Sequence, residues 1–133
     1  MRAAAVVYVK DLDRVAAFYA GAVGLTLDAR ESDHAVLRAD EFQLILVRMP
    51  DALARDVEVG DPPVRREDTP IKLVLPVSSL AGARDAAPAY GGVVDPVSRE
   101  WTFNGARVCD GHDPEGNVVQ FAESDPSTTA GDG

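Results

Sequence analysis

Apolar and polar positions follow one another along this chain in a pattern that occurs twice. Residues 6–24 have the pattern of a strand, an acidic or polar turn, a helix and a glycine stop, and residues 74–92 repeat it. Val9 corresponds to Val77, Leu12 to Leu80 and Gly24 to Gly92, each by a shift of 68 residues (77−9, 80−12 and 92−24). A further strand closes each half, at residues 42–47 and 117–122. The repeat predicts two βαβββ modules that must bury their apolar faces.

The first module is predicted to span residues 1–49. Its first strand covers residues 4–10, and Asp11 or Asp13 caps the helix that follows. The apolar positions of that helix are Leu12, Val15, Ala16, Phe18 and Tyr19, and it ends near residues 21–24. Three short strands complete the module, at residues 25–31, 34–38 and 42–49.

Residues 50–70 are charged and contain four prolines without any periodicity, which predicts a linker between the modules. The second module, residues 71–124, begins with a strand at residues 71–77 and a helix at residues 80–90. Ser78 or Ser79 caps that helix, and Pro88 frays its last turn. Its remaining strands are predicted at residues 93–97, around 101–103, at 106–110 and at 118–123. The small polar tail, residues 125–133, is predicted to be disordered, so residues 1–124 form one domain.

Composition narrows the classes of function. The 133 residues are 46% hydrophobic, which suits one compact domain. No apolar run approaches the roughly 18 residues of a membrane span, and the N-terminus lacks a signal-peptide pattern, so we expect a cytoplasmic protein without membrane contact. The net charge of −9 disfavours nucleic acid and favours neutral or cationic small molecules. The single cysteine, Cys109, excludes an internal disulfide and is more typical of a buried hydrophobe than of a catalytic thiol.

Two motifs resemble those of a known superfamily. VKDLDR at residues 9–14, followed by FY at 18–19 and GL at 24–25, opens the first module; DPEGN at 113–117, followed by VVQF, closes the second. Both are similar to motifs of the vicinal oxygen chelate superfamily, which includes glyoxalase I, extradiol dioxygenases and bleomycin-resistance proteins. The resemblance covers residues 4–123 and implies an α+β fold, in which two βαβββ modules form a curved mixed sheet cup with helices on its outer face. The motifs themselves specify turns rather than chemistry.

The resemblance also implies a divalent metal on the floor of the cup, held by His, Glu or Gln from the first and last strands of each module. The corresponding positions here are Ala4, Ile45, Lys72 and Gln120. Only Gln120 offers an oxygen, and Lys72 would bring an ammonium group to the position of the ion. We therefore expect no metal ligands and no cofactor.

Alternation along the strands predicts which residues line the cup. Ala4, Val6 and Tyr8 share one face of the first strand, while the opposite faces of all four floor strands are purely apolar and should meet the helices. Trp101 could stack a planar or cationic ligand, or instead cover a dimer interface or core. His34 and His112 are interpreted as ordinary polar residues, with His34 a possible general base. The candidate ligand-binding residues are Tyr8, His34, Arg38, Gln43, Ile45, Lys72, Trp101, Phe103 and Gln120.

Three functions are compatible with such a cup. The first is a metal-independent protein that sequesters a planar or cationic small molecule, as the bleomycin-resistance resemblance implies. The second is a metal-free enzyme whose catalytic residues, Lys72 and Gln120, polarise a carbonyl or move a proton, with help from His34 or Tyr8; it requires that Lys72 be desolvated. The third and weakest is a metal-dependent glyoxalase-like enzyme. We also expect a homodimer, formed through the linker and the rim around Trp101.

Overall fold

A computed structural model describes residues 2–124, in two β-sheets and three α-helices, and the predicted disordered tail lies outside these residues. The first sheet contains β1 (Ala3–Val9), β2 (Thr26–Arg30), β3 (His34–Ala39) and β4 (Phe42–Arg48) in the order β1-β4-β3-β2. The second contains β5 (Leu73–Val77), β6 (Val93–Val94), β7 (Trp101–Phe103), β8 (Ala106–His112) and β9 (Val118–Ser124) in the order β5-β9-β8-β6, with β7 also paired to β8.

The two sheets share one pattern of strand pairing. In each, the first strand pairs in parallel with the last strand of its module, and all other pairs are antiparallel. Val6 lies opposite Ile45 and Val74 lies opposite Gln120, so the equivalent positions of β1 and β5 are again 68 residues apart (74−6). The predicted α+β fold of two βαβββ modules is confirmed.

The helices are α1 (Leu12–Phe18), α2 (Asp51–Ala54) and α3 (Leu80–Ala86). Of the predicted caps, Asp11 accepts a hydrogen bond from the Arg14 N–H at 3.1 Å, and Ser79 accepts one from the Gly82 N–H at 3.0 Å. The short helix α2 lies in the segment that we predicted to be the linker between the modules. Within residues 2–124, no helix has the length and apolar character that crossing a membrane requires.

The glycine stops are not at equivalent positions, which corrects the predicted match of Gly24 with Gly92. Helix α1 continues into a π-helical turn, Tyr19–Val23, and ends at Gly24 with a φ of 91°. Helix α3 continues into a 3-10 turn, Ala87–Tyr90, and ends at Gly91 with a φ of 83°. A helix end of this type requires a left-handed residue, and Gly91, one position before the predicted stop, takes that conformation.

Strand boundaries differ most after α3. A strand was predicted at residues 93–97, but β6 ends at Val94 and a 3-10 turn covers Val97–Arg99. Pro96 has no N–H group to donate to a neighbouring strand, which explains why the pairing stops. Strand β8 instead continues two residues beyond its predicted end, to His112.

The two faces of the sheets divide as the alternation predicted. On the helix side, six strand residues are almost completely inaccessible: Val9, Leu44, Leu46, Leu75, Val119 and Phe121. The other side, here called the open face, is the side predicted to line the cup. It exposes 51% of Val6, 59% of Tyr8, 56% of Val74 and 60% of Phe103. Apolar residues are therefore plentiful on a face that no helix covers.

Candidate functional site

Three buried hydrogen-bonding residues, Tyr19, Asp113 and Glu115, hold the two modules together. Tyr19 donates a hydrogen bond to Asp113 at 2.8 Å, and Glu115 accepts hydrogen bonds from the backbone N–H groups of Lys10 and Asp11 at 2.8–2.9 Å. Burial of Tyr19, together with the neighbouring charge of Asp113, raises the pKa of this phenol well above its usual value. The DPEGN segment therefore forms a turn, as predicted, and also joins β9 to the start of α1.

A cavity of about 500 Å³ lies beside this joint, between the edge strand β1 and the strands β5 and β9. Its walls are mainly apolar and are formed by both modules and by the linker. Among the described residues, Arg66 is the only charged residue in the lining. The lining consists of Ala5, Val6, Val7, Tyr8, Tyr19, Arg66, Thr69, Ile71, Leu73, Asn117, Val118 and Val119. Apolar walls with a few polar groups are typical of a site for a small organic molecule.

The linker reaches the cavity because its backbone pairs with the last turn of the second module. Arg66 donates its N–H to the Gly116 carbonyl at 2.8 Å and forms an isolated parallel bridge with Asn117. The neighbouring Arg65 binds both carboxylate oxygens of Asp95, at 2.6 and 2.9 Å. This hydrogen-bonded ion pair raises the pKa of Arg65. The linker is thus held at two successive residues, by the side chain of Arg65 and by the backbone of Arg66.

A second, smaller cavity of about 270 Å³ adjoins the first on the open face. It contains an ion pair between Lys72 and Asp110, with the nitrogen 3.0 Å from the nearer oxygen. The Lys72 nitrogen also lies 6.0 Å from the centre of the Trp101 ring. The cation beside Trp101 is therefore supplied by the protein itself.

Lys72 is not placed as the enzymatic hypothesis requires. Its side chain is 40% exposed and is paired with Asp110, whereas the hypothesis requires a desolvated amine among apolar neighbours. Gln120 is nearly buried, with 6% of its surface exposed, and lines a third cavity of about 230 Å³ together with Phe103. Lys72 and Gln120 therefore line different cavities on the open face.

The remaining candidate residues are spread over the first module. Tyr8 lines the large cavity. His34 is hydrogen-bonded to Asp33 at 2.7 Å, which lowers the pKa of that carboxyl, and Arg38 pairs with Asp28 at 3.0 Å. Gln43 lies opposite Arg38 and Ile45 opposite Val36 in the β3–β4 pair. The structure thus separates these residues from the large cavity, with the exception of Tyr8.

Both His112 and Cys109 are buried and hydrogen-bonded within the protein. The His112 ring nitrogen Nδ1 lies 2.9 Å from the Asp113 carbonyl oxygen in a buried position. Cys109 is completely buried, and this burial raises the pKa of its thiol, which keeps the sulfur protonated. As expected from the sequence, Cys109 is part of the core.

Sequence reasoning missed most of the cavity lining. Arg66 and Thr69 lie in the linker, where the absence of periodicity gave no indication of orientation. Asn117 was assigned to the turn motif and to the start of the last strand, and not to the cavity lining. The one available signal was the length of the linker, since connections of about 20 residues in compact domains are often functional.

Two mixed sheets, in each of which the first strand pairs in parallel with the last, are joined beside a mainly apolar cavity, and this arrangement defines a protein of the glyoxalase/bleomycin-resistance fold class. The sequence profile of the glyoxalase-like domain matches residues 4–122. The chain therefore belongs to the glyoxalase-like domain family of the vicinal oxygen chelate superfamily. A search of curated proteins returned no match.

Solved structures similar to this chain include several with related names. A glyoxalase/bleomycin resistance protein from Albidiferax ferrireducens is 18% identical with a TM-score of 0.62, covering 92% of this chain and 98% of that one. An antibiotic binding protein from Streptomyces sp. CB03234 is 20% identical with a TM-score of 0.60, covering 94% and 96%. The bleomycin-binding protein of Streptomyces verticillus, complexed with copper(II)-bleomycin, is 17% identical with a TM-score of 0.56, covering 94% and 97%. At these identities the likeness establishes the fold alone.

The metal that the superfamily implies does not fit this donor set. In the first module, the expected ligand positions Ala4 and Ile45 carry apolar side chains, and Ala4 is exposed. Val6, which lies opposite Ile45 in the β1–β4 pair, is apolar as well. In the second module, Lys72 is engaged with Asp110, which leaves Gln120 as the one oxygen donor among the four expected positions. Across residues 2–124, no three His, Cys, Asp or Glu side chains come together in an arrangement that could hold an ion. Three or more convergent donors are the usual minimum for a protein metal site.

Proposed function

We propose that this protein binds a small, planar, largely apolar molecule in the cavity between its modules, without a metal ion and without changing the ligand chemically. The observation that carries the proposal is the cavity of about 500 Å³, whose walls come from β1, β5, β9 and the linker. Its volume is typical of sites for small organic ligands. The antibiotic-binding and bleomycin-binding proteins of the same fold support sequestration as the activity.

The geometry favours a planar ligand over a cationic one. A planar cation was expected to stack on Trp101, but Lys72 already lies over that ring. In the large cavity the charged group of the lining is Arg66, which would repel a second cation. The net charge of −9 would attract cations to the surface, yet the interior of the cavity offers them no carboxylate among its described lining residues.

Fluorescence of N-phenyl-1-naphthylamine, a neutral planar dye, tests the proposal directly. We expect the dye to bind the purified protein equally well before and after treatment with a chelator, and elemental analysis to find no stoichiometric divalent metal. Thr69→Trp should weaken binding by about ten-fold or more, because an indole on this exposed linker residue would fill the cavity entrance.

Thr102→Trp is the matched control, since it adds the same side chain to an exposed position on β7. It should leave the affinity unchanged within about two-fold. Equal binding by wild type and Thr69→Trp would contradict the proposed location of the ligand. Loss of binding after chelation would contradict metal independence.

The metal-free enzyme remains the second candidate, because Lys72, Asp110 and Gln120 all lie on the open face. The Lys72–Asp110 pair could exchange a proton with a bound carbonyl compound. Borohydride treatment in the presence of 4-hydroxybenzaldehyde, followed by mass spectrometry, tests for an imine on Lys72, with Lys72→Arg as the control. We expect no adduct that depends on Lys72, and such an adduct would favour the enzyme.

We propose further that the protein is a cytoplasmic homodimer that pairs through the open face. Val6, Tyr8, Val74 and Phe103 each expose more than half of their surface on this side. Isolated exposed hydrophobic residues are common, but several on one face are typical of an interface. A second copy would cover them and deepen the cavities that open there.

A further inference from the structure

We infer that the ligand carries one acidic group, such as a carboxylate or a sulfonate, which binds Arg66 while the apolar body of the ligand fills the cavity. This inference rests on the proposed function and adds the chemical class of the ligand. It is carried by the position of Arg66, which is half-buried and lines both the 500 Å³ cavity and the adjoining 270 Å³ cavity, and by the pairing of the acids around it.

The neighbouring carboxylates are already paired with other cations. Arg65 holds both oxygens of Asp95 and also lies 3.2 Å from Glu67. Asp110 is paired with Lys72. Over residues 2–124, no carboxylate forms an ion pair with the Arg66 guanidinium. Because a half-buried guanidinium loses part of its hydration, an anion from outside the chain would be a favourable partner.

The other polar groups of the cavity wall are engaged within the protein. The Thr69 hydroxyl donates to the Ile71 carbonyl at 3.2 Å, and the Asn117 amide donates to Asp113 at 2.9 Å. The Tyr19 hydroxyl donates to the same carboxylate. In the described lining, the Arg66 guanidinium and the Tyr8 hydroxyl are donors whose side chains make no hydrogen bond within the protein. A guanidinium can bind two oxygens of an acidic group at once.

Local charge opposes the preference that the net charge suggests. The net charge of −9 repels anions at a distance, but salt screens exposed charges beyond about 8 Å at physiological ionic strength. An ion pair inside a mainly apolar cavity is screened much less. Net charge therefore slows the approach of an anion, whereas Arg66 determines how tightly it is held.

Two dyes with the same ring system test the inference. 8-Anilino-1-naphthalenesulfonate carries a sulfonate, and N-phenyl-1-naphthylamine lacks it. We expect Arg66→Gln to lower the affinity for the sulfonated dye about ten-fold, because one charge-assisted contact is lost. The affinity for the neutral dye should fall by less than about two-fold. Arg66→Lys should retain part of the affinity for the sulfonated dye. Arg55→Gln, at an exposed residue after α2, makes the same change in net charge and should alter neither affinity.

The outcomes separate this inference from the proposed function. If wild type binds the neutral dye and Arg66→Gln binds the sulfonated dye as tightly as wild type does, the acidic-group inference is wrong and the cavity proposal stands. An equal loss of affinity for both dyes in Arg66→Gln would likewise overturn the inference, since Arg66 would then only shape the cavity. If neither dye binds wild type, the proposed function and the inference fall together.

Discussion

The Tyr19 hydroxyl donates a 2.8 Å hydrogen bond to the Asp113 carboxylate, which joins two residues 94 positions apart in the chain. Both side chains are almost completely buried. Tyr19 belongs to the turn that ends the first helix, and Asp113 belongs to the turn before β9, so this bond crosses from one module to the other. Tyr19 also forms part of the wall of the large cavity.

Tyr19→Phe should lower the free energy of unfolding by about 1–2 kcal/mol, because the Asp113 carboxylate loses one buried donor. The loss stays moderate since Asp113 keeps hydrogen bonds from the backbone of Glu115 and from Asn117. Urea denaturation followed by circular dichroism measures the change. Tyr90→Phe, which alters a partly exposed phenol, should change stability by less than about 0.5 kcal/mol; an equal effect of both substitutions would contradict the role given to the bond.

Alkaline pH should destabilise the wild type through Tyr19. Its pKa is raised in the folded protein by burial and by Asp113, so above about pH 10 the unfolded chain loses this proton while the folded chain retains it. The contribution of Tyr19 to the free energy of unfolding is fully present below its pKa in the unfolded chain, and it is lost as the pH rises toward its pKa in the folded protein. Denaturation midpoints between pH 8 and 11 should therefore fall less steeply for Tyr19→Phe. Parallel curves for the two proteins would contradict this assignment.

Gly116→Ala should displace the linker from the second module. Gly116 has a φ of 83°, and a Cβ there would collide with the Val64 carbonyl oxygen. Gly24→Ala is a matched control, because Gly24 has a φ of 91° and open space around it. We expect Gly24→Ala to cost about 1 kcal/mol for the backbone conformation, and Gly116→Ala to cost more. Only Gly116→Ala should reduce the affinity for the sulfonated dye, since Arg66 is next to this contact.

Acid should weaken the contact between α3 and the β7–β8 region. Burial alone would raise the pKa of Glu100, but hydrogen bonds from Arg107 and Arg84 outweigh it and lower the pKa. A lowered folded pKa gives stability that is present above the unfolded value, near 4.3, and is lost as the pH falls through the folded value. Glu100→Gln should cost about 1 kcal/mol at pH 7, a value reduced for the exposure of Arg107, and much less at pH 3.

Thermal unfolding at the two pH values measures this difference, with the exposed Glu58→Gln as the control. A Glu100→Gln effect of the same size at pH 7 and pH 3 would show that the carboxylate charge is not responsible.

The dimer proposal makes a prediction about size. Phe103→Asp replaces an exposed ring of the open face with a charged carboxylate and should convert the dimer to a monomer. Light scattering coupled to size-exclusion chromatography measures the mass. Val97→Asp alters a residue that is similarly exposed but lies in the 3-10 turn before β7, and should leave the dimer intact. A monomeric wild type at 100-fold the concentration used for dye binding would contradict the proposal.

The period-two pattern of the strands predicted which face is core. Val9, Leu44, Leu75 and Phe121 are buried where the alternation placed them, because each strand alone determines which side chains share a face. The caps at Asp11 and Ser79 were also predictable from the sequence, because the start of a helix depends on residues within one turn. The poor metal donor set at Ala4, Ile45, Lys72 and Gln120 was also evident from residue types.

The sequence by itself therefore determined the two modules, their buried and open faces, and the absence of convincing metal donors at the expected positions. The tertiary structure decided which polar groups meet. Lys72 pairs with Asp110 across 38 residues, and Arg66 reaches the cavity because its backbone pairs with the turn before β9. Local periodicity reports only which side of an element is apolar, whereas contacts between distant polar side chains depend on the packing of the whole chain.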